Sequence, residues 1–292
     1  MVNVAGDGVP LLYLTIVFLV LSWFIFVTRV GVRRWIHGFG TDDWLMGGGL
    51  ALYTVTASLV IVCCFYGAGQ YSSALAAGDV QTGTKLFFIA EFFYAACTVL
   101  VKCSISVTLL RIADARRRFV WTLCAVMGLT AVAAVIFIIV IANICHPITM
   151  LWGETTEGSC NPSLNSTVSF LFSAASIVTD LVLGILPGIL LWNIRMKKTV
   201  KLSVIVILGM AALLRYLTLY DDQNEFMFST GAIGLWSILE EGIGIIAGSL
   251  PALRPLLSLR AFWRQWSRNR SLIDKRPKPP AWRSHSSATA TA

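Results

Sequence analysis

An all-α membrane protein, a bundle of seven helices that each cross the bilayer, is the fold class this sequence predicts, and three observations predict it. Of 292 residues, 57% are hydrophobic and only 13% charged, against about 25% charged in a soluble domain. The apolar residues gather into seven runs, at 9–27, 44–66, 86–110, 119–144, 167–192, 200–219 and 231–250, each near the length of about 20 residues that spans a bilayer. The basic residues fall on alternate connections, as they do in a chain that weaves through a membrane.

The first run has no basic leader and is followed by Arg29, Arg33 and Arg34, so it reads as a retained helix with a charged stop and not as a cleaved signal peptide. The second opens at Asp42-Asp43-Trp44 and carries Gly47, Gly48 and Gly49, which suit close packing or a hinge equally. The third is the most informative. It is apolar from Lys85 to Arg111 yet holds Glu91 and Lys102. An ionisable side chain at the bilayer centre costs roughly 2.5 to 3.5 kcal/mol on insertion scales, so both must face a protein interior or a wet cavity. About three helical turns, roughly 16 Å, separate them, so their partners lie on other helices.

The fourth run carries no charge. The fifth contains Asp180, and Gly184 and Gly188 flank a turn that Pro187 is expected to break. The sixth contains Arg215. The seventh contains Glu240 and Glu241, one of which is expected to face inward because neighbours differ by about 100° around a helix, and the small pair Gly244 and Gly248.

The first, third and fifth loops and the C-terminal segment hold 20 of the 23 Lys and Arg. The formal charge of +8 is therefore a topology signal and not a nucleic-acid-binding face. It puts the N-terminus outside and the C-terminus in the cytosol, as an odd number of crossings requires. The sequence divides into a seven-helix domain, 1–258, and a basic cytoplasmic tail, 259–292, expected to be disordered. The first part of the tail, with Phe262, Trp263 and Trp266 among arginines, suits either a short amphipathic helix on the inner leaflet or a plain charged stop.

Five cysteines, Cys63, Cys64, Cys97, Cys103 and Cys124, fall within the apolar runs, where small thiols pack. Cys145 and Cys160 bracket the outer loop CHPITMLWGETTEGSC. In an oxidising compartment a disulfide between them is expected, against the alternative of two free thiols; it would contribute roughly 3 kcal/mol in the chain-entropy model. His146 beside them has no companion ligands at zinc spacing, so no metal is expected. Asn165-Ser166-Thr167 is an outer glycosylation sequon close to the fifth helix.

These residues also carry a resemblance. Asp42-Asp43-Trp44, Glu91 and Tyr94 followed by VKCSISVTLLR, CHPITMLW with Cys160, Asp180 with LPGILLW, Arg215, Asp221, and LWSILEEGIGIIAGSLPALRPL run in order along residues 9–258. The chain resembles the fungal rhodopsin-domain family, seven-helix membrane proteins that include appressorial surface receptors. It departs from the common pattern at Gln70 and Thr108. The resemblance implies a receptor-like fold, with some members sensing surface cues and others encoded beside secondary-metabolite genes. A retinal protein needs a Schiff-base lysine in its last helix. Residues 231–250 contain none, so no retinal and no other cofactor is expected.

Counting about 1.5 Å per residue from each helix end puts Glu91 roughly 10 Å below the outer boundary, at the depth of Arg215, with Lys102 and Asp180 deeper as an inner pair. One reading makes these ion pairs that fix helix register. The other makes Glu91, Tyr94, Arg215 and Glu240 an outward-facing ligand pocket. The function expected is a receptor-like protein sensing an apolar or surface-derived cue, in the plasma membrane or another secretory-pathway membrane. The alternative is a membrane enzyme or accessory protein of a secondary-metabolite pathway, with Glu91 or Glu240 as general acid; a transporter comes third. Partners expected are the bilayer and a small apolar ligand or substrate. G-protein coupling is not supported, because ALRPL and LLRIAD differ from the usual receptor motifs.

Overall fold

The computed structural model describes residues 4, 6–71, 73, 75–112, 117–146, 148–152, 158–160, 162–190 and 226–257. Among them are six helices long and apolar enough to cross a membrane: α1 (Gly8–Trp35), α2 (Thr41–Phe65), α3 (Ala77–Ile112), α4 (Arg117–Ala142), α5 (Pro162–Leu190) and α6 (Phe226–Leu257). The sixth apolar run, 200–219, lies outside the described residues, as do Arg215 and the tail, so α6 is the seventh run of the sequence. All the packing below falls within the compact unit Met1–Ala252.

Local chemistry sets the ends of α1 and α2. After Trp35 the chain turns at His37, which takes a left-handed φ of 56°. The His37 amide donates to the Arg34 carbonyl at 3.1 Å and the Gly38 amide to the Arg33 carbonyl at 2.9 Å, the paired bonds that close a helix around a residue normally glycine. Two residues later Gly40 starts α2, and Asp43 reaches back to accept from the Gly40 amide at 3.1 Å. Asp42 and Asp43 thus stand in the first turn, where the helix dipole favours carboxylates.

α3 is central. At 36 residues it is roughly 54 Å long, so it projects beyond the hydrocarbon layer, starting at Ala77 and not near 86. Its Ala90, Cys97 and Val101 pack with Leu50 and Tyr53 of α2 and with Ile238 and Ile245 of α6. Phe88 and Tyr94 pack with Phe137 of α4 and Phe172 of α5, whose rings stack at 4.5 Å. Leu109 packs with Leu123 and Leu183.

The three glycines of α2 are a packing device. Gly47 faces Phe26 of α1, while Gly48 and Gly49 face Leu100 and Val101 of α3, which lets α2 wedge between its neighbours. Likewise Gly248 of α6 sits against Ile105 and Met46. The expected break at Pro187 is not seen: α5 continues as helix to Leu190. The helix ladder tolerates a proline where neighbours satisfy the freed carbonyl.

Between α4 and α5, β1 (Cys145–His146) and β2 (Ser159–Cys160) pair antiparallel with Cys145 opposite Cys160, around a 3₁₀ turn at Ile148–Trp152. The outward faces of α1 (Val20, Phe24, Val27) and α4 (Val132, Ile136, Ile139) are apolar and exposed, as lipid contact requires.

A Cβ at Gly49 would lie 2.8 Å from the Val101 side chain, whereas one at Gly128 of α4 would meet nothing within 4 Å. Gly49→Ala should therefore destabilise the detergent-solubilised protein by about 1 to 3 kcal/mol through overpacking, and Gly128→Ala should raise its melting temperature slightly. Equal thermal-melt shifts for the two would refute the close α2–α3 approach.

Candidate functional site

Two polar networks lie inside the bundle, and α3 contributes to both. The first centres on Lys102, which is 4% exposed. Its ammonium lies 3.0 Å from Asp180 Oδ1 of α5. It also donates to the Ser176 carbonyl at 3.0 Å, the Ser176 hydroxyl at 2.7 Å and the Thr179 hydroxyl at 2.9 Å. Ser176, Thr179 and Asp180 fall within about one turn of α5, so a single lysine meets a whole helical face. A buried cation survives only when charge and hydrogen bonds are both met.

Glu240 of α6 joins this network. The Tyr94 hydroxyl donates to its Oε2 at 2.8 Å and the Ser176 hydroxyl to its Oε1. Glu240 is thus one serine away from Lys102 and is bonded to Tyr94, a second residue of the predicted pocket. Its neighbour Glu241 is also interior, 4% exposed, accepting from Thr98 at 2.5 Å and from the Cys97 thiol at 3.2 Å. The two glutamates face different sides of α3 residues, so the expectation that only one turns inward is corrected. Ser173 and Ser106, buried hydroxyls with no partner among the described residues, stand about one turn from Ser176 and Lys102 on their own helices.

The second network was not foreseen. Arg29 was read as part of a basic loop, but it lies within α1, fully buried. Its Nε donates to Asp43 Oδ1 at 2.8 Å, one terminal nitrogen to Asp42 Oδ2 at 2.9 Å and to the Thr108 hydroxyl at 3.3 Å, and the other to the Gly248 carbonyl at 2.9 Å. Four helices, α1, α2, α3 and α6, meet on one guanidinium. Arg33, one turn on, adds a 2.8 Å bond to Asp42, and the Ser104 hydroxyl donates to the Asp42 carbonyl at 2.6 Å. The available signal was spacing: Arg29 and Arg33 are four apart and share a face, just before an acidic pair that opens the next helix.

The remaining predicted residues are placed as follows. Glu91 is half-buried, about one turn from Tyr94 towards the start of α3. Its expected partner Arg215 lies outside the described residues. Asn165 falls in the first turn of α5. Of the five cysteines in apolar runs, Cys63, Cys64 and Cys97 are buried, but Cys103 is intermediate and Cys124 is exposed. α6 carries no lysine, and the Lys102 ammonium is engaged on α5.

The pair Lys102 and Asp180 makes a direct test. Lys102→Glu and Asp180→Lys, each alone, should lower the yield of folded monomer by size-exclusion chromatography severalfold, because each strands a buried charge at a cost of about 3 to 5 kcal/mol. The double reversal should recover part of the loss. No recovery would mean that the two side chains are not energetically coupled.

The fungal rhodopsin domain family matches this chain over residues 28–259. A SAT4 family membrane protein of Emericella nidulans is 28% identical over 199 residues, covering 64% of this chain and 50% of the relative. The chain therefore spans about half the length of that curated relative. No solved structure matches. With most of its length matched by the family model, ordered around helices whose interiors are charged and whose outer faces are apolar, the chain belongs to the fungal rhodopsin domain family.

Proposed function

We propose that this multi-pass membrane protein is receptor-like, that it senses an apolar or surface-derived cue, and that it crosses the bilayer seven times with its N-terminus outside and its C-terminus cytosolic. The observation that carries the reading is the Lys102 network, in which side chains of α3, α5 and α6 hold one another through a lysine, a serine and two carboxylates. A network of this kind has discrete arrangements, because losing one bond exposes another group to an apolar medium. A ligand that competes for Tyr94 or Glu240 from an outer pocket formed with Glu91 and Arg215 biases it. The buried Ser173 hydroxyl, which has no partner among the described residues, stands about one turn outward of Ser176 and is a further polar contact for such a guest.

The alternative role is an enzyme or accessory protein of a secondary-metabolite pathway with Glu91 or Glu240 as general acid, and for Glu240 it draws less support. Both Glu240 oxygens already accept hydrogen bonds from Tyr94 and Ser176, which suits positioning better than proton donation. Glu240→Gln separates the two. The receptor reading expects normal protein level and surface delivery with the cue-triggered transcriptional response reduced at least roughly tenfold, the effect of about 1.4 kcal/mol of lost coupling. Loss of a secreted metabolite with the response intact would point to the enzyme.

The outer loop supplies a topology test. The register that sets Cys145 opposite Cys160 supports a disulfide there, and Asn165 nearby is the proposed glycosylation site. Peptide mapping without reduction should recover residues 145 and 160 in one cross-linked peptide, and an endoglycosidase should shift the mobility of wild type but not of Asn165→Gln. Two thiols alkylated without reduction in freshly isolated membranes would place this loop on the reducing side and reverse the orientation.

A further inference from the structure

We propose that the loop 36–40 and the arginines around it form a binding site for the phosphate headgroup of an anionic membrane lipid. Arg33 and Arg111 come from different helices, yet both donate to the same acceptor, the Gly38 carbonyl, each at 3.1 Å. Arg34 stands over the Phe39 ring with its guanidinium carbon 5.7 Å from the centroid. Two guanidinium groups therefore meet on one backbone carbonyl of this loop, and a third lies over its aromatic ring. Gly40 makes this possible, since a side chain there would collide with the Arg111 guanidinium.

Counted over the described residues, this ring is positive. Asp42 and Asp43 face Arg29, Arg33 and Arg111, but Arg29 is wholly engaged inside and Arg33 bonds Asp42 at 2.8 Å. Arg111 reaches Asp42 Oδ1 only at 3.4 Å and its side chain is 46% exposed. Arg34 is exposed and has a ring, not a carboxylate, as its described contact. No further carboxylate stands among the described residues of the last turns of α1 and α3, the loop, or the first turn of α4, where Arg117 and Arg118 add positive charge. Two guanidinium groups are left for an anion, and the planar fork of arginine matches phosphate oxygens two at a time.

Depth argues for a lipid as the source of that phosphate. Trp44 and Trp121 are 73% and 76% exposed, and Phe39 packs edge-on against Trp44 with centroids 5.8 Å apart. Exposed aromatic rings at a helix end mark the level of lipid headgroups, and basic pockets between helices at that level take anionic ones. Which leaflet supplies the lipid rests on the orientation proposed above; the binding does not.

The test is native mass spectrometry of the full chain released from detergent micelles containing phosphatidylinositol 4-phosphate or phosphatidylcholine. Wild type should retain the phosphoinositide and not phosphatidylcholine. Arg34→Gln, which leaves the Asp42 network intact, should weaken retention roughly fivefold, and Arg34→Gln with Arg111→Gln roughly thirtyfold. Arg117→Gln with Arg118→Gln removes the same charge from α4 and should change it far less; an equal loss there would reduce the site to bulk attraction and overturn it. Equal retention of phosphatidylcholine overturns it too. Displacement by soluble inositol phosphate at matching concentration would give the site to a free anion, and displacement by a soluble acidic peptide would give it to a protein partner. Thermal melts of Arg34→Gln and of the double variant, matched to wild type, ensure that a loss of retention reports the site and not the fold.

Discussion

The Arg29 guanidinium holds the α1, α2, α3 and α6 side of the bundle in register, and in a bilayer it has no substitute. Desolvating a single charge costs several kcal/mol even after relaxation, so a buried arginine is tolerable only where its donors are met. Here they are met by two carboxylates of α2, a threonine of α3 and a backbone carbonyl of α6. Each acceptor comes from an element that must already be in position. A one-turn slip of α6, about 5.4 Å, takes the Gly248 carbonyl out of reach and leaves a donor facing hydrocarbon. The network contributes less to stability than to selecting one packing over its neighbours, which is the best-supported use of buried ionic groups.

α3 ties this network to the one around Lys102. Lys102 and Thr108 are six residues apart, roughly 9 Å along the axis, on a helix that packs against α2 on one side and against α4 and α5 on the other. α6 likewise serves both, through Glu240 and Glu241 at one level and the Gly248 carbonyl at another. A displacement of α3 against α6 alters acceptors in both networks at once. That is the physical content of coupling between two ends of a membrane protein: a rigid element shared by two sets of bonds that each have few arrangements.

Much of this was legible in the residues, for reasons that also explain what was not. Apolar runs identify crossings because every backbone group must be satisfied within its own segment, and Lys102 and Asp180 stand out because isolated charges in such runs are costly. Glu240 stands out for the same reason, but its link to Lys102 through Ser176 does not. An apolar run fixes neither which helix it faces nor the angle at which the two dock. Ser176, Thr98 and Thr108 were invisible for a third reason: a hydroxyl in a membrane helix usually satisfies itself by bonding back to its own turn. Only the facing helix shows which of them also serves a charge. Arg29 was missed because basic residues after an apolar run were counted as a loop, and nothing in composition distinguishes an arginine that ends a helix from one that continues it.

That last ambiguity has a physical resolution. Orientation is set by Lys and Arg counted during insertion, with little contribution from Asp and Glu, at a stage when α1 has no partners. Packing is settled afterwards, when α2 delivers Asp42 and Asp43 to the same arginines. Arg29 and Arg33 therefore serve twice, first as free charges that hold one end of α1 on its side of the membrane, then as buried donors that set how α2, α3 and α6 dock. Arg34, whose described contact is a ring, and Arg111, half-exposed and no nearer than 3.4 Å to Asp42, keep their charge at the interface. The same short stretch thus supplies a topology signal, a packing lock and a residual positive surface. Which role each arginine takes follows from its helical angle: positions 29 and 33 share the inward face, while position 34 is turned about 100° away from 33.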